Sequence, residues 1–208
     1  MKIIDNFNLF REVLEFKDGE FYFVQILVRG KDGHKEVGVN GNNKNRLIKY
    51  YTIRTLNELS SKEEEIKSIC RAINARAYIH PTRRNFKKVA DETLRVTTDM
   101  YLSGNNIVGL KGAYSTACGK SLISEDKKFL IDLDGKRVND IVEIVNFTEL
   151  HCDPKPFAKF LYKVPTAHGM HLITLPFNTE IFKQQYPDID VHKNNPTLLY
   201  FECKDENI

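Results

Sequence analysis

Read as a string of apolar and polar positions, the chain divides into short segments of two periods. Glu20–Val28, "EFYFVQILV", is an aromatic and β-branched run of strand length. "LIKYYTIRT" (47–55) predicts a second strand, and the Gly/Asn-rich "KDGHKEVGVNGNNKNR" (31–46) predicts a hairpin-like turn between them. The period then lengthens. Ser61-Lys-Glu-Glu64 has the form of a capping box, which predicts a helix from there through about Asn74. "RAYIHPT" (76–82) predicts a short strand. Over 83–104, Phe86, Val89, Ala90, Leu94 and Thr97 recur at helical spacing, so a helix ending near Gly104 is expected.

The second half repeats the mixture. Phe129–Asp134 predicts a strand, and "NDIVEIVNFTEL" (139–150) a helix with Asn139 as N-cap. "FAKFLYKVPT" and "HGMHLITLPF" predict two strands joined by a turn at Thr166–Gly169. "TEIFKQQYP" predicts a short helix, "DIDV" and "TLLYFE" the last strands, and "CKDENI" a polar tail. Strands are too many for a helical bundle, and they lack the strict βαβ rhythm of a doubly wound sheet. The fold expected is mixed α+β with a largely antiparallel sheet.

Composition narrows the class. Hydrophobic residues form 41% of the 208, enough for a substantial core. No apolar run approaches the ~20 residues needed to cross a bilayer, so no membrane partner and a cytoplasmic location are expected. The start, "MKIIDNFNLFREVLEF", lacks a basic region followed by an apolar one, so no secretory signal is expected. Cys70, Cys118, Cys152 and Cys203 are scattered without a CxxC pair, which fits reduced thiols. "ACGKS" (117–121) is not a phosphate-binding loop, because Tyr114 stands where the first glycine is needed.

A net charge of +3 does not by itself point to nucleic acid. One local cluster says more. "RAYIHPTRRNFKK" (76–88) sets Arg76, Arg83, Arg84, Lys87 and Lys88 around Tyr78 and Phe86. Basic residues interleaved with aromatics suit a single-stranded backbone with stacked bases. The alternative is a solvated loop entering a helix.

Candidate chemistry concentrates in the second half. In "KKFLIDLDGK" (127–136) an apolar run ends in Asp132 and Asp134, which strand alternation places on one face. Two carboxylates so placed repel each other unless a hard divalent cation such as Mg²⁺ or Mn²⁺ lies between them. "KVPTAHGMHLITLPF" (163–177) carries His171 on a strand just after Gly169, a position where a ligand can approach the backbone. "DIDVHKNNPTLL" (188–199) places Asp190 between Ile189 and Val191.

The spelling "IDLDG" is similar to the nucleophile motif of the haloacid dehalogenase superfamily, which would make Asp132 a nucleophile towards phosphoryl groups in a magnesium-dependent phosphohydrolase. Lys136 stands where that family has Thr. Taken together and in order, "FLIDLD", "TAHGMHLIT" and "IDVHKNNPTLL" resemble the catalytic module of the archaeo-eukaryotic primases and primase-polymerases. The resemblance covers about residues 128–200. It implies one two-lobed domain over 1–208, with an N-terminal lobe (1–110) and a lobe (111–208) whose RRM-like sheet carries the acidic motifs. It implies template-directed nucleotidyl transfer from nucleoside triphosphates on a single-stranded nucleic-acid template. Asp132, Asp134 and Asp190 would hold two divalent metals, and His171, with Thr166 and His168 in the turn before it, would contact the nucleotide's phosphates. A compact module of this kind suits DNA replication in a phage or mobile element. A non-catalytic module that binds single strands or nucleotides is the third reading.

Overall fold

The computed structural model describes residues 2–30, 45–104, 110, 112–155 and 157–203. Its strands are β1 (Lys2–Asp5), β2 (Glu20–Val28), β3 (Arg46–Ile53), β4 (Arg76–Ile79), β5 (Arg84–Asn85), β6 (Phe129–Asp134), β7 (Phe160–Pro165), β8 (Gly169–Thr174), β9 (Asp190–His192) and β10 (Thr197–Cys203). Its α-helices are α1 (Phe7–Val13), α2 (Leu56–Ile73), α3 (Phe86–Leu102), α4 (Ala113–Lys120), α5 (Ile141–His151) and α6 (Thr179–Gln185). The fold is mixed α+β, and every strand pairing is antiparallel. No helix among the described residues is long and apolar enough to cross a membrane.

Two sheets form. The first has the order β1-β10-β4-β2-β3, with β5 alongside β2; the second has the order β7-β8-β6-β9. β10 therefore returns to the middle of the first sheet after the chain has built the second. Alternation along β2 explains how the first sheet is covered. Val24, Ile26 and Val28 pack with α1 and α2 through Phe7, Phe10, Leu59 and Ile66. On the opposite face Phe21 and Phe23 pack with Val89 of α3 and with Ala117 and Cys118 of α4.

The second sheet follows the same rule. Phe129, Ile131 and Leu133 of β6 face α5 and α6, packing with Ile144, Phe177 and Phe182. Leu130, on the other face, joins Val164, Ile173 and the core residues of the first sheet in one cluster. Asn6 fastens the two sheets there: its buried side chain donates to Pro165 O at 3.0 Å and to Leu198 O at 2.9 Å.

Several boundaries depart from the sequence reading. α2 begins at Leu56, not at Ser61. Thr55 is its N-cap and accepts from Glu58 N–H, while Glu58 reaches back to Arg54 N–H, so the capping signal lies six residues upstream of the one read. The helix ends at Asn74 in the left-handed region (φ 49°), as its length suggested. Residues 83–85 are not helical. Arg84–Asn85 pairs with β2, and Asn85 caps α3 by accepting from Lys88 N–H. α5 starts at Ile141 after a 3₁₀ segment (Gly135–Asp140), so Asp140 and not Asn139 is its N-cap. The sequence reading predicts neither β1 nor α1. The expected hairpin turn falls almost wholly outside the described residues.

Candidate active site

The face of β6 that carries Leu130 in the shared core runs on into Asp132 and Asp134. This is why an apolar strand ends in two carboxylates. The same side of one strand is core at its start and cleft wall at its end. β6 is flanked by β8 and β9, and Asp132 is the register partner of His171 on one side and of Asp190 on the other. Directly opposed residues in antiparallel strands share a face. Asp190, Asp132 and His171 therefore form a row across three strands. Asp134 lies one step further along, opposite Gly169.

Within the row, His171 Nε2 is 3.3 Å from Asp132 Oδ1. His171 Nδ1 lies 2.8 Å from Thr197 Oγ1. Thr197 is fully buried and belongs to β10, so the imidazole is held between the two sheets. Burial pushes the Asp132 carboxyl up, but the hydrogen bond and charge of His171, with His192 and Arg29 nearby, outweigh it and hold the group below its ordinary value. Asp132 is thus ionised at neutral pH. Asp134 and Asp190 are exposed. Among the described residues no three His, Cys, Asp or Glu side chains are grouped closely enough to hold an ion as they stand.

The opposite wall comes from the first sheet. Arg29, at the end of β2, donates to the Tyr78 hydroxyl at 3.3 Å. Arg76 on β4 is buried over the ring of Phe201, 4.3 Å from its centroid. These groups and the second-sheet row enclose two adjoining cavities of about 270 and 240 Å³. Both are lined by Arg29, Tyr78, Asp132 and His171. A larger trough of about 670 Å³ lies along α5 and β7, lined by residues such as Leu9, Val145 and Tyr162. It is apolar and touches none of the candidate residues, so volume alone does not locate the chemistry.

The turn before His171 is tightly built. Thr166 N–H donates to Gly169 O at 3.0 Å, and Gly169 N–H donates to Thr166 Oγ1 at 3.1 Å. Gly135 N–H donates to His168 O, and Lys2 Nζ donates to Ala167 O. The Thr166 hydroxyl thus serves the turn as acceptor while its own O–H remains a donor. Thr166 and His168 both line the larger of the two cleft cavities.

The basic cluster splits. Arg76 lines the cleft, and Lys87 and Lys88 are exposed on the first turn of α3. Arg83 and Arg84 do not form a phosphate-tracking surface. Arg83 is buried and paired with Asp126 at 2.8 Å and Glu20 at 3.2 Å. Arg84 is completely buried, donating to the carbonyls of Cys118 and Thr82 at 2.5 Å, to His80 Nδ1 at 3.0 Å and to Asn194 Oδ1 at 3.1 Å. The sequence marked both as basic but gave no sign that carbonyls and carboxylates would surround them. It missed Arg29, Tyr78 and His192 as cleft residues for a related reason. Each lies on a strand or, for Arg29, just past one, whose neighbours are known only once the sheets are assembled. Comparison with protein-family models, with curated proteins and with solved structures finds no match to this chain.

Proposed function

We propose that this protein is a nucleotidyltransferase of the primase and primase-polymerase kind, adding nucleoside triphosphates to a strand under direction of a single-stranded template. The observation that carries the reading is the cleft lined by Asp132, Asp134 and His171, with Arg29 and Arg76 on its far wall; Asp190 joins the row as the register partner of Asp132, outside the cavity lining. Acidic and basic walls facing one another suit a polyphosphate with its cations.

The donor chemistry suits Mg²⁺ or Mn²⁺, although the carboxylates would have to draw together around the ion. Asp132, Asp134 and Asp190 offer hard oxygen ligands on one face, and Asp132 is already ionised. Metals bound there would supply activation of the attacking hydroxyl and charge neutralisation on the leaving pyrophosphate. The chain's own groups do the positioning. His171, held from behind at Nδ1 by Thr197, sets Nε2 against Asp132, and its single N–H would pass to a phosphate once Asp132 takes a metal. Thr166 and His168 stand at its mouth, and Arg29 and Arg76 set charge against the triphosphate from across. Lys87 and Lys88 remain for the template backbone.

The phosphohydrolase reading is less well served. β6 pairs antiparallel with both β8 and β9, whereas that superfamily sets its motif in a parallel sheet. It also leaves His171 without a task.

The test is primer extension and phosphatase activity measured on wild type, Asp132→Asn, His171→Ala and Asp190→Asn. Nucleotide incorporation reduced at least ~10²-fold in all three, with no phosphatase activity in wild type, is the expected result. Phosphatase activity lost in Asp132→Asn and kept in His171→Ala would overturn the reading. A wild type inactive with every template and metal leaves a binding module.

A further inference from the structure

The two cleft cavities differ in chemistry. Beyond the four residues they share, the first is lined by Arg76, Asp134, Thr166, Ala167, His168 and Leu198, and the second by Leu27, Asn45, Leu130, His192, Asn195 and Pro196. One is a charged chamber. The other adds no Asp, Glu, Lys or Arg of its own and combines aliphatic surface with two amides and an imidazole, and Asp132 and His171 stand at their junction. Neither, at about 270 and 240 Å³, reaches the ~300–1,000 Å³ of an ordinary small-molecule site, but joined they do.

We propose that the second chamber is a nucleoside subsite, taking the heterocycle and sugar of the molecule whose polyphosphate occupies the first. The assignment rests on the nucleotidyl-transfer reading and extends it to the orientation of the substrate. Polyphosphate needs cations and donors, which the first chamber holds. A nucleoside needs apolar surface against the faces of its heterocycle and donors or acceptors for its sugar hydroxyls, the base edge being left to the template. Leu27, Leu130 and Pro196 supply the first, and Asn195 and His192 the second. Tyr78 lines both chambers, with its hydroxyl held by Arg29, at the place where a sugar would pass from one to the other.

The wall of the second chamber is rigidly built. Asn194, next to Asn195, accepts from buried Arg84 at 3.1 Å and donates to Gly119 O at 2.7 Å. That pins the segment before β10 to α4 and β5. Asn195 itself is exposed. The loop is therefore fixed by one asparagine while its neighbour is left facing the cleft.

The experiment is calorimetric titration with two probes, ATP and inorganic tripolyphosphate, each with Mg²⁺. The proteins are wild type, His192→Ala/Asn195→Ala, Asn195→Trp and His168→Ala. Wild type should bind both probes, and each should displace the other. The double variant should lose about tenfold in ATP affinity, the value of two modest hydrogen bonds, and hold tripolyphosphate unchanged. Asn195→Trp, at an exposed position that folding tolerates, should block ATP alone. His168→Ala should weaken both probes. ATP bound equally by wild type and by both Asn195 variants would overturn the subsite while leaving the nucleotidyl-transfer reading intact. Parallel loss of both probes in those variants would overturn it as well. A wild type that binds neither probe would overturn the nucleotide reading itself.

Discussion

Arg84 has no exposed surface, yet it stands in the most basic stretch of the chain. Burial draws its guanidinium down to about 10, so it is still charged at neutral pH, and its donors end on two carbonyls, a histidine and an asparagine. Its role is to place Asn194, and so a wall of the cleft, without touching a ligand. Its partner His80 is equally committed. Nδ1 accepts from Arg84 and Nε2 lies 3.3 Å from Gln25 Oε1, an arrangement for the neutral ring. Burial first, and then the charge of Arg84, push the His80 pKa down to about 3. The unfolded chain, with an ordinary histidine value, therefore binds a proton between about pH 6.5 and pH 3 that the folded one refuses. The stability that the neutral ring contributes is complete above pH 6.5 and is lost as pH falls through that window. Urea unfolding at pH 7 and pH 4.5 should show wild type losing about 2 kcal/mol more than His80→Gln over the same interval. Equal losses in the two proteins would mean that His80 does not oppose protonation. Cys70, Cys118 and Cys152, read as reduced thiols, are free and buried.

At the scale of elements, apolar runs are legible in the sequence and the exact caps are not: Thr55 and Asp140, rather than Ser61 and Asn139, cap α2 and α5. β2, β6 and the β7–β8 pair stand where apolar runs of strand length put them, because β2 and β6 are buried on both faces and so read as near-continuous apolar segments. The start of α2 was misread because two cap-like sequences compete, and only tertiary packing of Leu59 favours the earlier one. Arg84–Asn85 was read as helix because nothing in the sequence announces a two-residue strand. Gly169 was singled out for ligand approach; what approaches it is the backbone of β6. A Cβ there would lie 1.9 Å from Leu133 O. Gly169→Ala must push β8 from β6 at the step next to His171. We expect a loss of about 1–3 kcal/mol in urea unfolding, as for an overpacked core, together with a loss of nucleotide incorporation. Gly119 of α4 is the control. A Cβ there meets nothing within 4 Å, so Gly119→Ala should raise stability by up to about 1 kcal/mol. Destabilisation by both would point to a general intolerance of glycine replacement and away from strand contact.

The whole molecule depends on a crossing that no local pattern reveals. β10 closes the first sheet between β1 and β4, but it enters that sheet from the cleft, and its first residue is Thr197. From the sequence, "TLLYFE" was a strand and nothing more, because strand order is a property of pairing partners far apart in the chain. The crossing puts a fully buried hydroxyl from one sheet behind the catalytic candidate of the other, 2.8 Å from His171 Nδ1. With Nδ1 engaged there, Nε2 is the nitrogen left for Asp132 and the cleft, so on the proposed nucleotidyl-transfer reading Thr197 would be a positioning residue that works through His171. Thr197→Val keeps the shape and removes the hydroxyl, whereas Thr197→Ser keeps the hydroxyl and removes a methyl. Supporting partners of this kind are worth about 10–100-fold in activity. Nucleotide incorporation by Thr197→Val should therefore fall in that range while Thr197→Ser stays near wild type, although Ser leaves the larger packing defect. Thermal melting of both variants separates the two effects. If activity follows melting temperature, with Ser the worse of the pair, Thr197 is merely core. If activity follows the hydroxyl against the order of stability, the first sheet orients the histidine of the second.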